Sequence, residues 1–284
     1  MIMRKNKVFI LVLLIGLLFA IRIIWGNTAL ESNHVMITSE MIPDDFSGYR
    51  IAHISDYHNT ESNRLNKQLL KILKEEEPDM IAITGVLIDS RRTDIDVSLR
   101  FAEQAVKIAP CYYVTGNHES RIDDLDTLKS GLEALGVKVL DNKRLILQKG
   151  NDEITLIGVS DPKFMTRKIE EEDEIMRQCL TQLSKEADTY RILLSHRPEL
   201  FEIYKQAEIN LVFSGHAHGG QFRLPVLGGL IAPNQGFFPK YDAGVFTEDE
   251  TSMVVSRGIG NSIVPVRINN RPEVVMVELR HDGQ

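Results

Sequence analysis

Four times in this chain a short apolar run stops abruptly at a cluster of Asp, Asn or His. Residues 49–54 give way to Ser55-Asp56-Tyr57-His58, and residues 111–114 to Thr115-Gly116-Asn117-His118. Residues 191–194 end at Ser195-His196, and residues 210–213 at Ser214-Gly215-His216-Ala217-His218. Five of the eight histidines occupy these ends, so their placement is a pattern and not scatter. Apolar runs this short and this continuous read as strands buried on both faces, which other layers must cover. Open α/β sheets place their sites in the loops at strand C-termini. The pattern therefore predicts an α/β body whose polar chemistry converges along one edge.

Helical periodicity fills the gaps. Leu65, Leu69, Ile72 and Leu73 share a face ahead of Pro78, and Phe101, Ala105 and Ile108 do the same ahead of Pro110. Leu125, Leu128, Leu132 and Leu135 mark a third helix, with Gly136 as its C-terminal cap. A further strand, residues 80–83, ends at Thr84-Gly85. Beyond it the reading gives strands at 137–140, 144–148 and 154–159, an acidic helix over 169–187, and a short helix after Pro198. A hairpin through Glu248-Asp249-Glu250 and a last strand over 273–279 close the chain. The run Glu170 to Glu174 reads as a solvated helix face. No internal repeat is visible.

The first segment chooses a compartment. Arg4, Lys5 and Lys7 precede an apolar run from Val8 to Trp25 broken only by Arg22. As a helix, that stretch is about 27 Å long, close to the hydrocarbon thickness of a bilayer. Arg22 can snorkel and Trp25 suits the interface. A cleaved signal peptide is the rival reading, but no small-x-small site follows. Positive flanks stay inside, so the body is expected outside the cytoplasm, with a cytoplasmic N-terminus and a single pass through the cell membrane. The expected division is an anchor or signal over 1–26, a linker (around 27–33) and first strand region over 27–48, and one domain over 49–284.

Formal charge is −7 for 284 residues, yet the first 25 carry four basic side chains and no acid, leaving a body at −11. An acidic body argues against nucleic acid, whose affinity rests on basic side chains. With 43 % hydrophobic and 26 % charged residues the chain is not disordered. Cys111 and Cys179 stand alone and read as packing residues. No G-x-S-x-G elbow surrounds Ser195 or Ser214, and neither a phosphate loop nor a dinucleotide fingerprint is present.

Asp-x-His and His-x-His put two ligands on one side of an extended segment, and imidazole with carboxylate suits Zn, Fe and Mn. One such fragment is weak; four at strand ends are not. The ordered set Ser55-Asp56-Tyr57-His58, Thr84-Gly85-Val86-Leu87-Ile88-Asp89, Gly116-Asn117-His118-Glu119, Ser195-His196 and Gly215-His216-Ala217-His218 resembles the calcineurin-like metallophosphoesterases. The stretches Arg197-Pro198-Glu199, Gly219-Gly220-Gln221 and Ser256-Arg257-Gly258-Ile259-Gly260 are similar to the bacterial membrane-anchored or exported subgroup.

The resemblance implies a β-sandwich flanked by helices and a site for two divalent ions, Mn, Fe or Zn. It implies that Asp56, His58 and His218 hold one ion, and Asn117, His196 and His216 the other. His118 would lie at the substrate phosphate and assist the leaving group. The implied substrates are small phosphodiesters or phosphomonoesters; export points to lipid or glycan phosphates. Arg197 has two expected roles, a substrate-phosphate contact or a structural ion pair. His53, inside a strand, reads as a core histidine; His34 and His281 read as surface residues.

One position departs from the family. The residue after Thr84-Gly85 is there an aspartate shared by both metals; here it is Val86. Two divalent ions about 3.5 Å apart repel by roughly 20 kcal/mol at an effective dielectric of 20, and a shared carboxylate offsets this. Asp89 is expected to support the loop and not to replace the missing ligand. The expectation is phosphoester hydrolysis with this chain impaired; the alternative is a non-catalytic metal- and phosphate-binding member.

Overall fold

A computed structural model describes residues 2–185, 189–261 and 265–283. Its first element is the helix α1 (Ile2–Thr28). From Phe9 to Arg22 every side chain is exposed, so this helix stands away from the body. Residues 9–28 are long and apolar enough to cross a membrane.

The strands follow in chain order: β1 (Glu31–Ser39), β2 (Arg50–Ile54), β3 (Met80–Thr84), β4 (Cys111–Val114), β5 (Lys138–Val139), β6 (Lys143–Lys149), β7 (Asp152–Gly158), β8 (Tyr190–Leu194) and β9 (Leu211–Ser214). Two small hairpins come next, β10 (Arg223–Leu224) with β11 (Gly228–Gly229), and β12 (Ile231–Ala232) with β13 (Gly236–Phe237). The last strands are β14 (Gly244–Glu248), β15 (Thr251–Val255) and β16 (Glu273–His281). They build two six-stranded sheets, ordered β1-β16-β2-β3-β4-β5 and β14-β15-β9-β8-β7-β6.

Strand alternation sorts the core into layers. Ile51, Met80, Ala82, Ile192, Leu194 and Phe213 fill the space between the sheets. Their neighbours Ala52, Ile54, Ile81 and Ile83 face the helices α2 (Asn63–Glu76), α3 (Ile95–Ala105) and α4 (Leu125–Ala134). Leu193 and Val212 face α5 (Ile169–Leu183) and α6 (Phe201–Gln206). The result is helix, sheet, sheet, helix, the sandwich that the motifs imply. Caps set the helix starts: Ser62 accepts the Leu65 N–H at 3.3 Å, and Asp94 accepts that of Val97 at 3.1 Å. His53 is a core histidine, bonded to Thr84 Oγ1 at 2.8 Å and pushed down to about 3 by burial.

Three expectations need correction. The linker around residues 27–33 is not a linker. α1 runs to Thr28, and β1 starts at Glu31, held by a nine-residue parallel register with β16. The acidic helix ends at Leu183 among the described residues, and Ala187 lies outside them. Within the helix, Glu172 is not solvated; it is buried against Lys163, and Arg197 Nη1 lies 3.6 Å away.

Candidate metal centre

The site forms where the C-terminal ends of β2, β3 and β4 meet those of β8 and β9. Within sheets these strands run parallel, so their exits lie side by side. Between sheets, His196 Nδ1 donates to the Thr84 carbonyl at 2.8 Å. Close approach is enforced at Gly260, where a Cβ would stand 2.7 Å from that of His58. Four of the six expected ligands, Asp56, His58, His216 and His218, hold left-handed backbone with φ between 49° and 65°. Such conformations cost of order 1 kcal/mol or more each and concentrate at functional sites.

Asp56 is the pivot. Its Oδ2 accepts from Ser55 Oγ at 2.8 Å and from the His216 N–H at 2.9 Å. Its Oδ1 is buried and has no hydrogen-bond partner. Three imidazoles face that bare oxygen: His218 Nε2 at 3.3 Å, His196 Nε2 at 3.8 Å and His58 Nε2 at 3.9 Å. Burial opposes ionisation, but His218, His196, His58 and the Ser55 hydroxyl hold this carboxyl below its usual range. His58 Nε2 lies 3.2 Å from His218 Nε2.

On the other side, His196 gives its Nδ1 proton to the Thr84 carbonyl, and its Nε2 lies 3.1 Å from Asn117 Oδ1. His216 stacks edge-on to His196 with centroids 4.9 Å apart, and its Nε2 is buried and unpartnered. Burial pushes His218 down to about 3 and His216 well down, so both rings are neutral at pH 7.

A buried carboxylate oxygen without a hydrogen-bond partner is unfavourable unless a cation lies beside it. For a tetrahedral ion with bonds of about 2.1 Å, neighbouring donor atoms lie about 3.4 Å apart. The Asp56, His58 and His218 atoms meet that spacing and form a cluster that could hold a metal ion. The residues present fit a divalent ion there. The Asn117, His196 and His216 set gathers as well, but it supplies no carboxylate of its own.

Val86 touches the loop of His58 through its carbonyl and the loop of Asn117 through its methyl. It is fully buried, its carbonyl accepts the His58 N–H at 3.0 Å, and its N–H donates to Glu119 Oε2 at 3.1 Å. Its φ is +53°, a region that β-branched residues rarely adopt and that Asp and Asn tolerate. Its methyl lines the close contact with Gly116, where any Cβ would lie 2.6 Å away.

His118 lies beside this cluster, its ring 4.8 Å from that of His58. The Ser90 N–H donates to its Nδ1 at 3.1 Å, which leaves the proton of the neutral ring on Nε2. Burial pushes it down to about 3.

Arg197 forms a buried ion-pair cluster. It is 1 % exposed, its Nε and Nη2 are held by Asp161, and its Nη1 lies 3.1 Å from Glu199. Of its two expected roles, the ion pair is the one that the structure shows. Its partner Asp161 sits 36 residues upstream, which no local pattern could reveal.

The roles of Glu119 and Arg267 were missed, while Asp89 was expected as a support of its loop. Glu119 accepts the N–H groups of Val86, Ile88 and Gly116 and so clamps the two central loops together. Its position directly after Asn117-His118 was the available signal. Asp89 binds the side chain and the backbone N–H of Arg91, and lies 3.6 Å from His58 Nδ1 and 3.7 Å from His118 Nδ1. Arg267 is buried and holds the carbonyls of Arg257 and Gly260, behind the Asp56 loop.

Known proteins are similar to this chain in sequence and in fold. A phosphodiesterase of Escherichia coli K12, YaeI, is 27 % identical over 246 residues, covering 83 % of this chain and 84 % of its own length. YkuE of Bacillus subtilis 168, an uncharacterized metallophosphoesterase, is 30 % identical over 262 residues, 88 % of this chain and 86 % of that one. A Danio rerio transmembrane protein with a metallophosphoesterase domain is 28 % identical over 255 residues, and this chain covers 56 % of it. The crystal structure of TT1561 from Thermus thermophilus superposes with a TM-score of 0.52 at 14 % identity, over 75 % of this chain and 90 % of that one, which speaks for the fold alone. The family model for calcineurin-like phosphoesterases matches residues 49–220, a span containing every residue of the centre from Asp56 to His218. By that match and by the geometry it encloses, the chain belongs to the calcineurin-like phosphoesterases.

Proposed function

We propose that this chain is a membrane-anchored, metal-dependent hydrolase of phosphoesters, working outside the cytoplasm on phosphodiesters or phosphomonoesters of the cell envelope, and slowed by Val86. One observation carries the chemistry: the bare Oδ1 of Asp56, buried and faced by three imidazole nitrogens at 3.3 to 3.9 Å. Mn, Fe and Zn each suit such a set. Bound divalent ions supply charge neutralisation of the phosphoryl oxygens and a nucleophilic water at neutral pH.

The chain's own groups do the rest. Asp56, His58 and His218 form the anionic set; Asn117, His196 and His216 form the one with no carboxylate of its own. Ser90 fixes the His118 proton on Nε2, where it can donate a hydrogen bond to the departing ester oxygen and stabilise its developing charge. Glu119 holds the loops that carry Asn117 and His118 against the loop that carries Val86. A small phosphorylated substrate, a lipid or glycan phosphate, is the partner in view, and nucleic acid is not.

The second reading, a metal- and phosphate-binding member without turnover, draws on Val86, which is apolar and touches the loops of His58 and Asn117. The experiment that separates them is hydrolysis of a chromogenic phosphodiester with Mn²⁺ and with chelator, for this chain and for Val86→Asp. Metal-dependent turnover that rises on substitution supports the hydrolase. Silence from both proteins, with metal bound, overturns it in favour of the binding reading.

A further inference from the structure

Of the five most exposed large apolar side chains among the described residues outside α1, four lie in one stretch: Val226, Leu227, Phe237 and Phe238. Val226 is fully exposed at the tip of the β10–β11 hairpin with φ +71°, where Gly, Asn or Asp would be at ease. A β-branched apolar residue held this way in water stabilises nothing local. Its neighbours Leu224 and Leu227 are exposed as well.

The location of the tip supplies the reason. Arg22, inside the apolar run of α1, donates to Asn269 Oδ1 at 2.9 Å, and Asn269 Nδ2 donates to the Arg223 carbonyl at 3.3 Å. Those two bonds fix the hairpin beside the last turns of the candidate span. Arg271 lies over the Trp25 ring at 4.4 Å and holds the carbonyls of Ala29 and Leu30. Between helix and tip is a cleft of about 620 Å³ lined by Arg22, Arg223, Arg257 and Arg271, with Glu31 as its one acid. Apolar tips beyond a belt of arginines match the boundary between acyl chains and anionic headgroups.

We propose that the β10–β11 tip is a second membrane contact: Leu224, Val226 and Leu227 enter the leaflet beside α1, and the arginine cleft takes the headgroup of an anionic phospholipid. The inference rests on α1 crossing the bilayer and not on turnover. The hairpin follows directly from the loop of His216 and His218, with Gly220 packed on Gly229, so the contact holds the metal centre at a set height over the membrane.

The test uses the full chain in vesicles, with Cys179→Ser as background and single labels of an environment-sensitive dye. Val226→Cys and Leu227→Cys carry the probe at the tip, Leu14→Cys in the span, and Lys107→Cys on the far helical layer. The expected result is blue-shifted emission, quenched by chain-brominated lipid, at Leu14, Val226 and Leu227 but not at Lys107. The shift at Val226 is expected to be larger in phosphatidylglycerol than in phosphatidylcholine. Water-like emission at Val226 and Leu227 with a buried Leu14 overturns the second contact alone. Water-like emission at Leu14 too overturns the anchor and this inference together. An equal shift in both lipids overturns the headgroup part.

Discussion

The two halves of the metal centre are built from similar parts and differ in charge. Asp56 belongs to the His58 and His218 half, with distances of 3.3 and 3.9 Å to their nitrogens. The Asn117, His196 and His216 half has no carboxylate of its own, and Asp56 Oδ1 lies 3.8 Å from His196 Nε2. Val86, buried and apolar, adds no carboxylate to either half. Two sets of similar geometry can thus differ in the charge they offer a cation. Cation affinity follows ligand charge as well as position.

That contrast can be broken in a definite order. Asp56→Asn removes the carboxylate common to both halves, and should weaken Mn²⁺ binding by about 100-fold or more, read by calorimetry and by metal content after dialysis. Retained stoichiometric metal would mean that the imidazoles alone suffice. Val86→Asp should raise metal content from about one ion per chain to about two, and raise hydrolysis by roughly two orders of magnitude, the scale of a lost transition-state contact. A faster enzyme that still held one ion would break the comparison. His218→Ala should weaken metal binding by about tenfold or more, while His196→Ala leaves the first ion in place; equal losses would show the halves to be one cooperative site. Arg197→Met has the smallest effect on the centre. It should leave metal content and KM unchanged, and lower stability by about 3–5 kcal/mol because three carboxylates lose their buried cation. A raised KM would return Arg197 to the substrate.

The gathering of Asp56, His58, Asn117, His196, His216 and His218 at one edge was legible in the sequence because each lies directly after an apolar run, and strand ends are marked locally. The sandwich and its flanking helices were legible for the same reason, through periodicity at Leu65, Leu69 and Leu73 and through continuous runs such as Met80–Thr84. What escaped depends on distance along the chain. Arg197 finds Asp161, β1 pairs with β16 from the opposite end of the chain, and Glu172 turns inward from a run of acids that otherwise meets water. Glu119 escaped because its work is done on backbone N–H groups, which every sequence has. The tip at Val226 escaped because one exposed apolar residue in a loop means nothing until its neighbours in space are known.

Only Ala29 and Leu30 separate the end of α1 from β1, and β1 lies along β16 for its full length. With α1 in a bilayer, the body has no tether on which to swing. Its working radius would be its own diameter, so it would graze the surface on which it stands and reach little beyond it. A body joined in this way would meet ligands held in that surface by lateral diffusion, in two dimensions.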